Sequence, residues 1–485
     1  MRTGSFSKYL DLALHTAIYS LNWIAGIVAG LLLLPIYSHE LSVEDYGALD
    51  LAAQLTGFVR SAFASAFTYS VAKFFHGADT EAGKSEAIWT NAVSLSLVGL
   101  VACGIAIVFN DALTIALFRS ADFRCFTFLT SLTLAVEFCS LGFSSQFLLE
   151  KKSLLFVGLS ILRLFIAISL NLFFVIYMKL GGLGMLLGGL AASSAMMIVS
   201  IVICCRTFAF KYNFGLARRM LTVGYPMIPA TFLAMFLHQG DRIFLNSFSG
   251  LESVGLFTMA LQFPSQLNAL LLTSFNQVWI NNSLHDGRFR NGSGNELATT
   301  CSLFIGVYLV CQALLCYLVP VVFYLLVDSK FNLSMPQIPC IALAYCVHAM
   351  YIFLSSGGFE SGRFLPLTMA YLVACFVKCA LYLIWFEQLQ LSPGFVMLIS
   401  YVVFVVGCYF FYRNRDNRAI DYQVVMLQFL SFACITLVLQ PHAGVEFSAW
   451  NAVSIVSWSG AMVILMFYPI GLRVLASKLT GPTVS

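Results

Sequence analysis

The sequence predicts an all-α polytopic membrane protein, and three observations support this fold class. Hydrophobic residues form 60% of the 485-residue chain and charged residues only 10%, far from the composition of soluble domains. Apolar runs long enough to span a bilayer recur along the whole chain. These runs are continuous, whereas a transmembrane barrel would show short alternating segments, so helices are expected.

The apolar runs predict about fourteen transmembrane helices, with the first retained because it is too long for the core of a signal peptide. The predicted spans lie near residues 13–37, 47–73, 88–110, 122–148, 153–178, 182–205, 224–247, 255–280, 298–326, 335–357, 364–386, 392–412, 423–440 and 450–474.

The distribution of basic residues tests both the helix count and the orientation, because one missed helix would scramble the alternation. With the N-terminus inside, eighteen of the 26 Lys and Arg residues fall on the cytoplasmic side. Only Arg119, Arg124, Lys179 and Lys330 fall outside. The pattern predicts that both termini are cytoplasmic.

A weak internal repeat predicts how the spans are grouped. The segment Glu44–Ala52 matches Glu252–Ala260 at the acidic residue, a glycine and the final alanine. The same offset maps spans one to six onto spans seven to twelve with their orientation kept, which is typical of a parallel repeat. The predicted domains are an N-terminal lobe (1–205), a cytoplasmic linker (206–223), a C-terminal lobe (224–412) and two additional helices with the tail (413–485).

Ionisable residues inside spans are expensive in lipid and are therefore candidates for function. Arg60 lies thirteen residues from both Gly47 and Lys73, about 20 Å from either end of its predicted helix. The functional interpretation is that Arg60 holds an anionic group. The structural alternative pairs it with Glu137 or with backbone carbonyls.

Two further intramembrane cations could join Arg60. Arg163 lies ten residues into span five, and Lys378 lies midway along span eleven. If they face inward, the three residues form a cationic substrate site. Each could equally reach the membrane interface or pair locally.

Other polar residues within spans have less direct interpretations. Glu137 could bind a coupling ion or serve as counter-ion to an arginine. Asp241 and Arg242 are adjacent near the outer end of span seven, where they could form a gate or a local interfacial contact. Span eight carries the sugar-contact candidates Gln262, Gln266 and Asn268, whose amides suit a hydroxyl-rich ligand or contacts between helices.

Several chemistries lack a signature in this sequence. The fourteen cysteines lie in or beside apolar runs without a metal-binding pattern, and no GxxxxGK[ST] phosphate loop occurs. No cofactor, metal or nucleic-acid partner is expected. A membrane polysaccharide polymerase or ligase would favour a large catalytic loop, so a non-enzymatic role is preferred.

The segment "LLPIYSHELSVEDYGALDLA", with "GDRIFLNSFSGLESVGLFTMALQF" and "SFNQVW" later in the chain, resembles the bacterial polysaccharide-repeat flippases, or O-antigen transporters. These proteins belong to the multidrug/oligosaccharidyl-lipid/polysaccharide exporter superfamily. The resemblance covers essentially the whole chain through helix count, lobes and loop lengths.

The resemblance implies two six-helix lobes around a central cavity, two additional helices and transport by alternating access. The implied substrate is an undecaprenyl-diphosphate-linked oligosaccharide, flipped across the bacterial cytoplasmic membrane for O-antigen, capsule or exopolysaccharide synthesis. Membrane lipid, a polysaccharide polymerase and the chain-length machinery are the implied partners. A cation-coupled multidrug exporter of the same superfamily is the alternative, although such an exporter favours an acidic cavity.

Overall fold

The structure is a computed structural model that describes residues 24–150, 152–225, 227–273, 275–276, 294–355, 365–385 and 392–412. These residues are organised in two compact units, Met1–Gly255 and Leu256–Ser485. The first unit extends beyond residue 205, the predicted end of the N-terminal lobe. The lobe and linker boundaries inferred from the repeat remain predictions.

The first unit contains nine complete helices and the start of a tenth within its described residues. They are α1 (Ile24–Glu40), α2 (Val43–His76), α3 (Glu81–Val108), α4 (Asn110–Phe118), α5 (Arg124–Leu149), α6 (Ser153–Leu172), α7 (Gly181–Thr207), α8 (Phe214–Gly224), α9 (Met227–Gln239) and α10 (Asp241–Asn268).

Helix α2 shows how the sequence specifies the ends of a long span. The Ser42 side chain accepts a hydrogen bond from the Asp45 backbone N–H, which caps the first turn. Glu44 and Asp45 lie in that turn, while Lys73 and His76 lie in the last turn. Because these charges complement the helix dipole, both ends of the span are favoured.

The core of the first unit is formed by α2, α3, α5 and α7, with α8 packed on α2 and α3. One buried apolar cluster includes Phe67, Trp89, Phe138 and Met220. Helix α6 packs mainly on α7 and is largely exposed along its length, as expected for a helix that faces lipid. Its last turn, Phe173–Tyr177, is π-helical.

The stretch predicted as one span near 224–247 is divided by a turn. The helix α9 ends at Gln239, and α10 begins at Asp241 after a turn at Gly240. A second break occurs within α10 at Gly250, whose φ of 80° and ψ of 177° are non-helical. Glycine tolerates this conformation without the steric cost of a Cβ. Because α10 continues on both sides of Gly250, the predicted outer loop is largely helical.

The second unit contains the end of α10 and five further helices in its described part. They are α11 (Gly294–Leu326), α12 (Ile338–Ala349), α13 (Tyr351–Leu354), α14 (Leu365–Ala380) and α15 (Pro393–Tyr412). Helix α15 packs on α12 and α14, and α12 also packs on α11.

The predicted all-α membrane fold is confirmed. In the described ranges, eight helices are long and apolar enough to cross a membrane, or nine if the bent pair that begins with α8 forms one span. The predicted number of fourteen is not confirmed, since spans thirteen and fourteen lie outside the described residues. The sequence predicted neither α4 nor α8, which occupy stretches expected to be loops.

Candidate functional site

Three residues predicted separately from their depth in the membrane meet in the first unit. Arg60 Nη1 donates to Glu137 Oε2 at 2.8 Å, and Arg163 Nη2 donates to Glu137 Oε1 at 3.4 Å. Arg163 Nη2 also donates to Ser193 Oγ at 3.1 Å. We call these four residues the arginine–glutamate cluster.

Each member of the cluster comes from a different helix. Arg60 lies on α2, Glu137 on α5, Arg163 on α6 and Ser193 on α7, each near the middle of its helix. Residues halfway along spanning helices lie far from both membrane surfaces. The cluster therefore lies at the depth where an uncompensated charge is most costly.

The cluster carries more positive than negative charge, since two guanidinium groups share a single carboxylate. The Arg60 and Arg163 side chains are 43% and 46% exposed, while that of Glu137 is 17% exposed. A guanidinium has five N–H donors in a planar fork that matches carboxylate and phosphate oxygens. The described contacts use a minority of these donors, so N–H groups remain available on both arginines.

The structural alternative for Arg60, pairing with Glu137, is therefore present as a contact. This pairing is compatible with anion binding, because both arginines remain substantially exposed. The same contact makes Glu137 a counter-ion to both arginines. Its further interpretation as a coupling residue remains a prediction.

Lys378 lies on α14 in the second unit, where its side chain is fully buried and engaged in interactions. Its burial differs from the half-exposed state of the two arginines. The proposal that Lys378 joins Arg60 and Arg163 in one cationic site remains a prediction.

The sugar-contact candidates lie on the last three turns of α10. Asn268 Oδ1 accepts a hydrogen bond from the Tyr308 hydroxyl at 2.7 Å, and that hydroxyl accepts from Gln312 Nε2 at 3.2 Å. Asn268 therefore contacts another helix, the alternative left open for this segment. Gln262 and Gln266 are half-buried, and their role in sugar binding remains a prediction.

The gate candidates Asp241 and Arg242 are both buried. Arg242 Nε donates to Asp50 Oδ2 at 2.9 Å, and Arg242 Nη1 donates to the His238 carbonyl at 3.2 Å. Gln54 Nε2 donates to the other Asp50 oxygen at 2.9 Å. The Asp50–Arg242 pair thus joins α2 to the start of α10, while Asp241 takes part in other interactions.

Asp50 is a residue that the sequence interpretation missed. The signal was present, because Asp50 lies between Leu49 and Leu51 within the apolar run that also contains Arg60. An acidic residue within a span should be treated in the same way as a basic one.

Two glycines allow α2 and α10 to approach closely beside this ion pair. A Cβ at Gly47 would collide with the Leu251 carbonyl oxygen, and a Cβ at Gly255 would collide with the Val43 carbonyl oxygen. Small residues permit such backbone contact between membrane helices. The two glycines that match in the sequence repeat thus face each other's helix.

No group of three or more His, Cys, Asp or Glu residues suited to a metal ion occurs among the described residues.

Comparison with known proteins identifies the family. Residues 13–280, more than half of the chain, match the sequence model of a family described as polysaccharide biosynthesis protein. The chain belongs to this family. No curated protein sequence matches the chain. Membership confirms the resemblance inferred from the N-terminal segment.

Solved structures show which fold this family member adopts. The lipid II flippase MurJ, in an inward closed conformation, matches with a TM-score of 0.73 and 17% identity, over 96% of this chain and all of that one. An outward-facing multidrug resistance MATE transporter of the MOP superfamily matches with a TM-score of 0.59 and 13% identity, over 83% of this chain and 95% of that one.

A third match is a MOP superfamily transporter from Pyrococcus furiosus that is described as having a binding pocket of reverse polarity. Its TM-score is 0.56 at 12% identity, over 83% of this chain and 95% of that one. At these identities the matches show the fold alone. This polysaccharide biosynthesis family member has the fold of membrane flippases and transporters.

Proposed function

We propose that this protein flips undecaprenyl-diphosphate-linked oligosaccharide repeat units across the bacterial cytoplasmic membrane by alternating access. In this proposal the arginine–glutamate cluster binds the diphosphate, and no covalent chemistry takes place. The observation that carries the proposal is a pair of half-exposed arginines in mid-span that share one carboxylate.

Phosphate recognition follows from the chemistry of the cluster. A diphosphate offers several anionic oxygens, and two arginine forks can donate to them in a bidentate manner. Because Glu137 compensates only one of the two positive charges, the cluster favours an anion over a cation. This polarity supports a lipid-linked anionic substrate over the cationic drugs of a multidrug exporter.

Helix α6 also exposes apolar side chains at the depth of Arg163. Ile161, Leu162 and Phe165 are exposed, and residues one or two apart lie on different sides of a helix. These side chains therefore present a lipid-compatible surface around α6 at the depth where Arg163 would meet an anionic head group.

The Asp50–Arg242 pair supports a second part of the proposal. In the lobes predicted from the sequence, Asp50 belongs to the N-terminal lobe and Arg242 to the C-terminal lobe. We assign the pair to an outer gate that must break when the transporter opens outward. Asp241 is proposed to stabilise the turn at Gly240 that positions Arg242.

The proposal is tested in a strain from which the gene has been deleted. We expect lipid-linked repeat units to accumulate on the inner leaflet and surface polysaccharide to be lost, with both defects corrected by the wild-type gene. Arg60→Ala and Arg163→Ala should fail to restore surface polysaccharide, and Arg124→Ala, which removes an exposed arginine on the predicted outer side, is the matched control.

The multidrug-exporter alternative is supported by the similarity to MATE structures. It predicts that deletion increases sensitivity to cationic drugs and leaves surface polysaccharide intact. Unchanged polysaccharide with impaired drug efflux would therefore replace the flippase assignment with the exporter assignment.

A further inference from the structure

The segment 208–225 carries an exposed face that the proposed transport function does not use. Phe214, Arg218, Leu221 and Tyr225 are all exposed, with Phe214 at 75%. At 3.6 residues per turn, their spacing of four, three and four places them on one side of α8. Three bulky side chains with apolar surface thus surround one arginine.

The opposite side of α8 packs closely against α2 and α3. Leu216, Met220 and Gly224 recur every fourth residue and are buried. Met220 lies in the main apolar cluster, and a Cβ at Gly224 would collide with the Ala66 carbonyl oxygen of α2. This close packing fixes which side of the helix faces outward.

The approach to α8 is also held by side chains of α3. Trp89 Nε1 donates to the Phe208 carbonyl at 3.1 Å, and its ring packs edge-on against Phe210 with centroids 4.8 Å apart. Asn213 caps α8 by accepting from the Leu216 backbone N–H at 3.1 Å. The segment is therefore an ordered platform.

Glu86 pairs with one cation of the segment, Lys211, and forms no ion pair with the two arginines of α8. It accepts from Lys211 Nζ at 2.6 Å and from Asn213 Nδ2 at 2.7 Å. Arg218 and Arg219 are exposed and form no ion pair within the described residues, although Arg219 interacts electrostatically with Glu86 at longer range. The platform thus offers two adjacent positive charges that no carboxylate holds in an ion pair.

We infer that this platform, Phe208–Tyr225, is a binding site for anionic phospholipid head groups of the inner leaflet. A face that mixes aromatic side chains with arginine is typical of helices lying in a membrane interface. Phe214 and Leu221 insert among the acyl chains, while Arg218 and Arg219 bind lipid phosphates. The positive-inside pattern places this segment at the cytoplasmic surface, where anionic lipid head groups are available.

The inference is tested with the full-length protein in nanodiscs of neutral phosphatidylcholine containing increasing fractions of phosphatidylglycerol. We measure the thermal unfolding midpoint and the phosphatidylglycerol fraction that gives half of its maximal shift. The midpoint should rise for the wild type, because a ligand that binds the native state stabilises it. For Arg218→Gln/Arg219→Gln, the apparent affinity for phosphatidylglycerol should fall roughly 25-fold, as each cation contributes about five-fold. Most of the midpoint shift should therefore be lost even at high phosphatidylglycerol fractions.

The matched control is Arg119→Gln/Lys179→Gln, which removes two exposed cations on the predicted outer side. It should respond to phosphatidylglycerol like the wild type. Arg218→Lys/Arg219→Lys retains both charges and should keep most of the response, which separates a charge effect from damage to α8. The single variant Arg218→Gln provides the same readout if the double variant is not recovered folded.

Three results would overturn the inference. One is equal phosphatidylglycerol dependence in the wild type and Arg218→Gln/Arg219→Gln. Another is an equal shift produced by soluble glycerol phosphate, which would indicate a free-anion site. The third is a lipid-independent midpoint with concentration-dependent dimerisation lost in Phe214→Ser, which would make the platform a protein interface.

Discussion

The arginine–glutamate cluster and the Asp50–Arg242 pair both place ion pairs inside the membrane-embedded part of the first unit, but they differ in burial and in charge balance. In the cluster, two half-exposed arginines share one carboxylate. In the pair, Arg242 Nε donates to Asp50 Oδ2, and the two side chains are only 7% and 14% exposed.

This difference distinguishes a site suited to binding a ligand from a contact that holds two helices together. A buried ion pair gives a ligand little access, and losing either partner removes part of the compensation of the other buried charge. A half-exposed cluster with surplus positive charge can bind another anion and tolerates the loss of one member more easily. Helix α2 carries both kinds of site, with Asp50 and Arg60 about 15 Å apart along its axis.

The largest expected effect is on the buried pair. Asp50→Ala removes the carboxylate that Arg242 Nε contacts while Arg242 stays buried, so we expect the free energy of unfolding to fall by about 3–5 kcal/mol. Thermal unfolding in detergent measures this loss. Asp111→Ala, which breaks the exposed Asp111–Arg124 pair, is the matched control and should cost less than about 1 kcal/mol. Equal losses of unfolding free energy in the two variants would contradict the proposed difference between the buried and the exposed ion pair.

The second effect concerns recognition. Arg60→Ala should weaken binding of the lipid-linked substrate by about 1.5–3 kcal/mol, because it removes charge-assisted hydrogen bonds. The unfolding midpoint should change little, since the side chain is half-exposed. Substrate binding by the purified protein and its thermal unfolding give the two readouts. Arg60→Lys should restore part of the affinity, and a variant that unfolds while binding normally would reverse the assigned roles.

A third test addresses the close approach of α2 and α10. Gly47→Ala places a Cβ against the Leu251 backbone, which cannot move as freely as a side chain, and should destabilise the protein by about 1–3 kcal/mol. Gly104→Ala is the control, because nothing lies within 4 Å of its Cβ position. Thermal unfolding distinguishes them, and a neutral Gly47→Ala would argue against tight contact between these helices.

The smallest effect is that of salt. Raising ionic strength to about 0.15 M shortens the screening length to about 8 Å and weakens exposed charge interactions. Substrate binding at the cluster should therefore weaken as sodium chloride is added, while the unfolding midpoint of the wild type stays nearly constant. A strong fall in the unfolding midpoint with unchanged substrate binding would contradict the assignment of ligand binding to the cluster and of stability to the buried pair.

The sequence predicted the three charged members of the cluster and offered the Arg60–Glu137 pairing as one alternative, but it did not decide between the alternatives. Depth in an apolar run identifies Arg60, Glu137 and Arg163 individually, because a charge at that depth is energetically unfavourable unless it has a partner or a function. Which of them touch depends on the packing of α2, α5 and α6, which a single sequence does not specify. Ser193 carried no signal at all, since serine is common in membrane helices.

Local backbone breaks were the least predictable part of the fold. Hydropathy reads 224–247 as one span, yet the chain turns at Gly240 and buries Asp241 and Arg242 beyond it. Arg242, two residues after that turn, contacts Asp50, almost two hundred residues away in the sequence. The platform at α8 was likewise hidden, because its short apolar stripe reads as part of a basic linker.

The carboxylate of Glu137 has a consequence for the energetics of a transport cycle. If the two arginines were alone, an empty transporter would rearrange with two formal positive charges in mid-membrane, whereas Glu137 reduces this to one. Each elementary charge moved through 100 mV corresponds to about 2.3 kcal/mol. The paired carboxylate would thus lower the electrical work of returning the empty carrier to its starting conformation. The rate of that return would then depend less on the membrane voltage.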